Sequence, residues 1–189
     1  MEVDETMPDA AALTALTRRI ARPIALVGMM GVGKSSVGKR LAAALGVPFV
    51  DADDEIEQAA KLTIPEIFAA FGEAGFRDGE RRVIARLIDG SPKVLATGGG
   101  AFINPETRAL MLDKAITVWL DSDVDTLLER VGRRNNRPLL QQGDPRATLE
   151  RLKRERERFY AEAPIHVVSG TGTHARTVAK VLRGIDEWL

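Results

Sequence analysis

Residues 28–35 read Gly28-Met29-Met30-Gly31-Val32-Gly33-Lys34-Ser35, and the rest of the chain can be placed outward from them. Before them runs Ile24-Ala25-Leu26-Val27, apolar throughout; after them comes the helix-like stretch Val37-Gly38-Lys39-Arg40-Leu41-Ala42-Ala43-Ala44-Leu45. A strand, a glycine-rich turn closed by lysine and serine, and then a helix is the context a P-loop requires. Glycines let the backbone curl into a concave nest of N–H groups around phosphate oxygens, and the helix that follows aims its positive end at the same point. Lys34 can then reach the β- and γ-phosphates, and the Ser35 hydroxyl can ligate a magnesium ion that bridges them. The expected ligands are ATP and Mg2+, with Gly31, Val32, Gly33, Lys34, Ser35 and Ser36 as nucleotide-binding residues.

The bulk composition narrows the class further. With 189 residues the chain suits one domain with a real core. Its 27 Lys+Arg balance 27 Asp+Glu, so no global field draws it to nucleic acid or to an anionic membrane. The absence of cysteine excludes disulfides and thiolate metal sites and fits a reducing compartment. No apolar run is long enough to span a bilayer, and the acidic start Met1-Glu2-Val3-Asp4-Glu5 is unlike a signal peptide. A soluble, cytoplasmic monomer is expected.

Read in order, residues 1–21 form an extension in which Pro8-Asp9 can open a short helix carrying Leu13, Leu16 and Ile20. As a sequence it fits a fraying tail or a docked helix equally well. Further strands are expected at 47–50, 94–96, 116–120 and 165–168. Helical patterns fall between them, including a long charged helix over 145–161 and a closing helix over 174–188. Strands alternating with helices predict an α/β three-layer P-loop fold: a five-stranded parallel sheet with helices on both faces, over residues 22–189. Ligands in such sheets sit beyond the carboxyl ends of the strands. The P-loop, Asp51 and Asp53, Gly98–Gly100 and the loop after Val168 all follow strands, so they should share one rim.

Several residues break the pattern in ways that suggest chemistry. Asp51 and Asp53, if extended, point to the same side; one can serve the metal while the other orients or deprotonates a hydroxyl, or Asp53 or Asp54 merely caps the next helix. Glu80 falls in the apolar stripe of its helix, where a bare carboxylate is costly, with Arg77 one turn away to pair with it. Arg156 holds the middle of the stripe Leu149, Leu152, Phe159, Ala163, while Arg151, Lys153, Arg154 and Arg158 lie off it as a solvated face. An inward arginine needs an anion, which points to a substrate ligand. Gly98-Gly99-Gly100 permits a close backbone approach to a ligand. No Walker-B acid stands near it, which puts more of the metal role on Asp51. The basic segment 132–143 is long enough to be a mobile lid, and Arg130 before it can stack on adenine.

Taken together these residues resemble the shikimate kinases, small P-loop kinases of the nucleoside-monophosphate-kinase type. The resemblance covers about residues 22–188: the P-loop at 28–35, Asp-x-Asp at 51–53, Phe-Arg at 76–77, the triple glycine at 98–100, Arg-Pro-Leu-Leu at 137–140 and Arg-x-x-x-Tyr at 156–160. It implies that Asp53, Arg77, Gly98, Gly99, Gly100 and Arg156 bind shikimate and that Ser35 and Asp51 serve magnesium. It also gives Lys34 and Arg137 to the transferred phosphoryl and Arg130 to adenine, with Lys34, Asp53 and Arg137 as the catalytic set. The implied reaction is ATP + shikimate → ADP + shikimate 3-phosphate, a step of aromatic amino-acid biosynthesis. Ser36 stands where threonine is commoner, and the loop 169–174 lacks the arginines many members place near adenine. A kinase for another hydroxylated acid, gluconate above all, is the rival enzyme. A nucleotide-dependent switch is the rival of another class, and no guanine-reading Asn-Lys-x-Asp supports it.

Overall fold

The computed structural model describes residues 6–133, 140 and 143–189. Its frame is a parallel sheet of β1 (Ile24–Val27), β2 (Phe49–Asp51), β3 (Val94–Ala96), β4 (Ile116–Asp121) and β5 (Ile165–Val168), in the order β2-β3-β1-β4-β5. Central β1 is buried at every residue, as its unbroken apolar run requires when helices cover both faces. Its register sets Ile24 beside Val94 on one flank and Ile116 on the other. Edge strand β5 instead alternates buried and exposed residues. The carboxyl ends align, with Asp51 opposite Ala96, Val27 opposite Trp119 and Asp121 opposite Val168. The chain leaves β1 for one edge, returns to β3, then crosses to β4, and ligands gather where such a strand order reverses.

The helices are α1 (Ala10–Arg19), α2 (Lys34–Leu45), α3 (Ala52–Ala60), α4 (Ile64–Leu87), α5 (Pro105–Lys114), α6 (Val124–Gly132), α7 (Pro145–Tyr160) and α8 (His174–Trp188), with a 3-10 turn at Ala101–Ile103. Helix α4 starts with a capping box, in which the Thr63 and Glu66 side chains exchange hydrogen bonds with each other's backbone N–H. It bends at Gly72, whose φ of 70° and ψ of −178° are outside the helical region. That bend separates residues 64–71, which fold back toward the strand ends, from the half that carries Arg77 and Glu80.

Helix α1 is docked. Leu16 and Ile20 are buried, Thr17 donates to the Leu45 carbonyl, and Arg19 pairs with Asp186 on α8. Three expectations need correction. The second strand spans 49–51 and ends on Asp51 itself. The inward stripe of α7 is completed by Tyr160, because Phe159 is only half-buried between the guanidiniums of Arg108 and Arg158. Lys153 does not belong to the solvated face: its ammonium donates to the Asp121 carboxylate at 2.9 Å and to the Ser122 carbonyl at 2.7 Å, fastening α7 to the end of β4.

Candidate active site

The P-loop geometry follows from its glycines. Gly28 has a φ of +138°, and a Cβ there would lie 2.2 Å from the Leu120 carbonyl oxygen, so only glycine lets β1 turn this close to β4. The turn delivers Lys34 to the first residue of α2, where its ammonium folds back onto the carbonyls of Gly28 at 2.7 Å and Met29 at 2.8 Å. Ser35 Oγ donates to Asp51 Oδ2 at 2.6 Å. A hydroxyl from the first turn of α2 and a carboxylate from the end of β2 therefore meet beside the P-loop.

Asp51 and Asp53 do not alternate along an extended strand. Helix α3 begins at Ala52, Asp51 is its N-cap, and Asp51 Oδ1 accepts from the Asp53 N–H at 3.0 Å. The cap is thus Asp51, the residue that also meets Ser35, and not Asp53 or Asp54, which lie inside the first turn of α3. Helical winding, and not strand pleat, turns Asp53 into the cleft, where it lines the same walls as Asp51.

Two pockets adjoin at this point. One is lined by residues 31–37 with Thr97, Arg130, Ser169, Gly172 and His174; the other by Met30, Phe68, Phe76, Arg77, Glu80, Gly98–Gly100 and Arg156. Ser35, Asp51 and Asp53 line both. Arg130 joins the P-loop to the β5–α8 loop, donating to the Val32 carbonyl at 2.9 Å and to the Gly170 carbonyl at 3.1 Å.

In the second pocket Arg77 Nη1 donates to Glu80 Oε1 at 2.8 Å. Burial pushes the Glu80 carboxyl above its ordinary value, and the neighbouring Arg77 charge pulls the other way. Among the described residues, the buried Glu80 Oε2 and Arg156 Nη1 have no hydrogen-bond partner. Both line the pocket, and a buried polar atom left unpaired costs stability unless a ligand satisfies it. The triple glycine has a steric cause. A Cβ at Gly98 would lie 2.8 Å from Glu80 Oε2, one at Gly99 3.5 Å from Arg156 Nη1 and 3.1 Å from the Met30 N, and one at Gly100 2.5 Å from Arg77 Nη1. The close approach anticipated for a ligand is thus made first by the site's own charged side chains.

Of the expected site residues, Lys34, Ser35, Asp51, Asp53, Arg77, Arg130, Arg156 and the glycines converge here; Arg137 and most of the segment 132–143 lie outside the described residues. The sequence reading missed Thr97, which takes the rim position where an acid was sought and donates to the Leu26 carbonyl at 2.8 Å. It also missed Phe68 and His174. The signals for these were the Gly72 break, which returns Phe68 to the cleft, and the start of the last helix at His174. Burial, then the charges of Arg40 and Arg130, lowers the His174 pKa, which favours its neutral form.

A phosphate cradle joined through a hydroxyl and two carboxylates to an arginine-lined pocket is what transfer of phosphate to a small anionic alcohol requires, and it sets the class: a P-loop small-molecule kinase. Comparison with known proteins agrees. The family model described as shikimate kinase matches residues 30–186. A shikimate kinase of Novosphingobium aromaticivorans is 61% identical over the whole of both chains. A solved shikimate kinase from Acinetobacter baumannii, in complex with shikimate, is 36% identical with a TM-score of 0.83, covering 91% of this chain and 97% of that one. A gluconokinase from Sinorhizobium meliloti, at 20% identity and a TM-score of 0.56 over 89% of this chain and 93% of its own, shares the fold. The chain belongs to the shikimate kinase family.

Proposed function

We infer that this enzyme phosphorylates the 3-hydroxyl of shikimate with the γ-phosphate of ATP, the nucleotide lying in the P-loop pocket and shikimate in the arginine-lined one. The observation that carries the reading is the buried, unpartnered Arg156 Nη1 beside Arg77, joined to the P-loop through Asp53. Shikimate is a carboxylate with several hydroxyls. Arg77 and Arg156 answer the carboxylate, and Asp53 answers the hydroxyl that reacts.

The residue roles follow from position. Asp53 orients the hydroxyl and takes its proton as the oxygen–phosphorus bond forms and the bond to the β-phosphate bridging oxygen breaks. Lys34 exchanges its carbonyl partners for phosphate oxygens. Ser35 and Asp51 fit Mg2+, which keeps most of its shell as water and phosphate oxygens and needs few protein ligands; bound there, the ion neutralises charge on the phosphates. Among the described residues no group of three or more His, Cys, Asp or Glu is placed to hold a metal, so an all-protein cage is not offered. Arg130 flanks the adenine, and Arg137 in the lid 132–143 stabilises the transferred phosphoryl. We place the enzyme in the cytoplasm as a monomer; no described helix is long and apolar enough to cross a membrane.

The test is ADP release with ATP and magnesium in the presence of shikimate, gluconate, quinate or no acceptor. Turnover requiring shikimate and magnesium is expected. Turnover on gluconate in preference would reassign Arg77 and Arg156. Arg137→Ala should lower kcat more than it weakens ATP binding; a change in ATP affinity alone would make that arginine a ground-state ligand.

A further inference from the structure

The triple glycine that forms one wall of the substrate pocket is conformationally loose by composition, yet it must hold a fixed shape against three charged side chains. Its outer carbonyls are held locally: Gly98 O accepts from the Ala101 N–H and Gly100 O from the Ile103 N–H, both at 3.2 Å. The middle carbonyl is held from elsewhere. Gly99 O accepts from the hydroxyl of Tyr160, the last residue of α7. Tyr160 is 1% exposed, and its ring stacks on Trp119 of β4 with centroids 6.0 Å apart. Arg156 lies one helical turn before Tyr160 on the same face of α7, and its Nη1 faces Gly99.

We propose that Tyr160 is a positioning residue for shikimate: its hydrogen bond to Gly99 locks the glycine wall and the Arg156 guanidinium into one rigid unit. The hydroxyl is suited to the task. Burial pushes its pKa up to about 12, so it remains a neutral donor throughout the working pH range. The aromatic stack fixes the ring, leaving the hydroxyl with little freedom to lose on making the bond. With the bond gone, the peptide at Gly99 loses its tether to α7, so the glycine backbone and the Arg156 guanidinium beside it meet the substrate in a spread of geometries. The tyrosine also touches the P-loop, its hydroxyl lying 4.0 Å from Met29 Sδ, but the contacts of Lys34 and the Ser35–Asp51 pair are made by other side chains, so the loss falls chiefly on the shikimate pocket. The proposal rests on the reading of Arg156 as a shikimate ligand.

The experiment compares wild type, Tyr160→Phe and Arg156→Ala by steady-state kinetics in both substrates and by thermal melting. For Tyr160→Phe, the shikimate KM should rise about tenfold while kcat and the ATP KM change less than about twofold. An unchanged shikimate KM, with or without a lower Tm, would show a merely structural tyrosine and overturn the proposal. Parallel losses in kcat and in both KM values would overturn it too, since they mark general loosening. If Tyr160→Phe does not fold, Trp119→Phe carries the test: a raised shikimate KM at constant ATP KM supports the assignment, and an unchanged one defeats it. Arg156→Ala separates the two layers. If it leaves the shikimate KM unaltered, the shikimate-ligand reading fails whatever Tyr160 does.

Discussion

Arg156 and Glu80 are the residues in which burial and charge conflict most openly, and their conflict locates the substrate. An arginine on the apolar stripe of α7 with one nitrogen unpaired is poorly placed for stability and well placed to bind an anion. Arg156→Ala should raise the shikimate KM about 10- to 100-fold, the range for a lost charged hydrogen bond, with ATP binding retained; steady-state kinetics in each substrate separates the two. Gly100→Ala acts on the same clamp from the opposite side. Its methyl would stand 2.5 Å from the Arg77 guanidinium, which must swing away and leave Glu80. A raised shikimate KM is expected together with a lowered Tm, because the buried Glu80 loses its partner, and an unchanged KM would mean that Arg77 is not held in its working position. Lys34→Met should abolish turnover while the protein remains folded by circular dichroism, since the carbonyls that hold the ammonium, those of Gly28 and Met29, lie in the adjoining P-loop itself.

At the scale of elements, the strand ends set the distances and the helices bring the charges. Asp51 ends a strand and caps a helix in the same residue, so its carboxylate is oriented by the Asp53 N–H before any ligand arrives. Helix α4 keeps one capping box and one bend, and the bend lets a single helix supply both Phe68 and the Arg77–Glu80 pair to one pocket. Helix α1 serves the body of the domain and not the site. Leu16→Ala should cost about 3 kcal/mol through the cavity it leaves, lowering Tm by roughly 6–12 °C at unchanged shikimate and ATP KM values. A changed KM would instead connect this helix to the active site. The strand and helix patterns made the alternation and most strand sites legible in advance, whereas the docking of α1 was not, because it depends on Leu45 and Asp186 far along the chain. The start of α3 was only partly legible, because Asp-Ala-Asp-Asp is as compatible with an extended rim as with a cap.

For the molecule as a whole, the buried Tyr160 hydroxyl sets an alkaline limit. Its folded pKa is raised above the ordinary phenol value, so its contribution to stability is complete below pH 10 and is lost as pH rises through about 12. Over that interval stability should fall by roughly 3 kcal/mol, since each tenfold change in proton affinity between the folded and unfolded chain is worth about 1.4 kcal/mol. Urea titrations at pH 9 to 12 on wild type and Tyr160→Phe measure it: the wild type should lose its advantage over the variant as pH rises, and parallel curves would place the hydroxyl in solvent. The division of labour between sequence and fold has a physical basis. Covalent order and side-chain pattern alone determined the P-loop, the alternation of strand and helix, and the anomalous inward positions of Glu80 and Arg156, because those depend on neighbours three or four residues away. Tertiary structure decided the rest. That Asp51 meets Ser35, that each glycine of the triplet faces a different charged side chain, and that Tyr160 and not Phe159 turns inward to Gly99 are contacts between residues 16 to 61 positions apart, or the choice between two aromatic neighbours on one helix. No local period encodes them; they exist only once the sheet has brought its strand ends together.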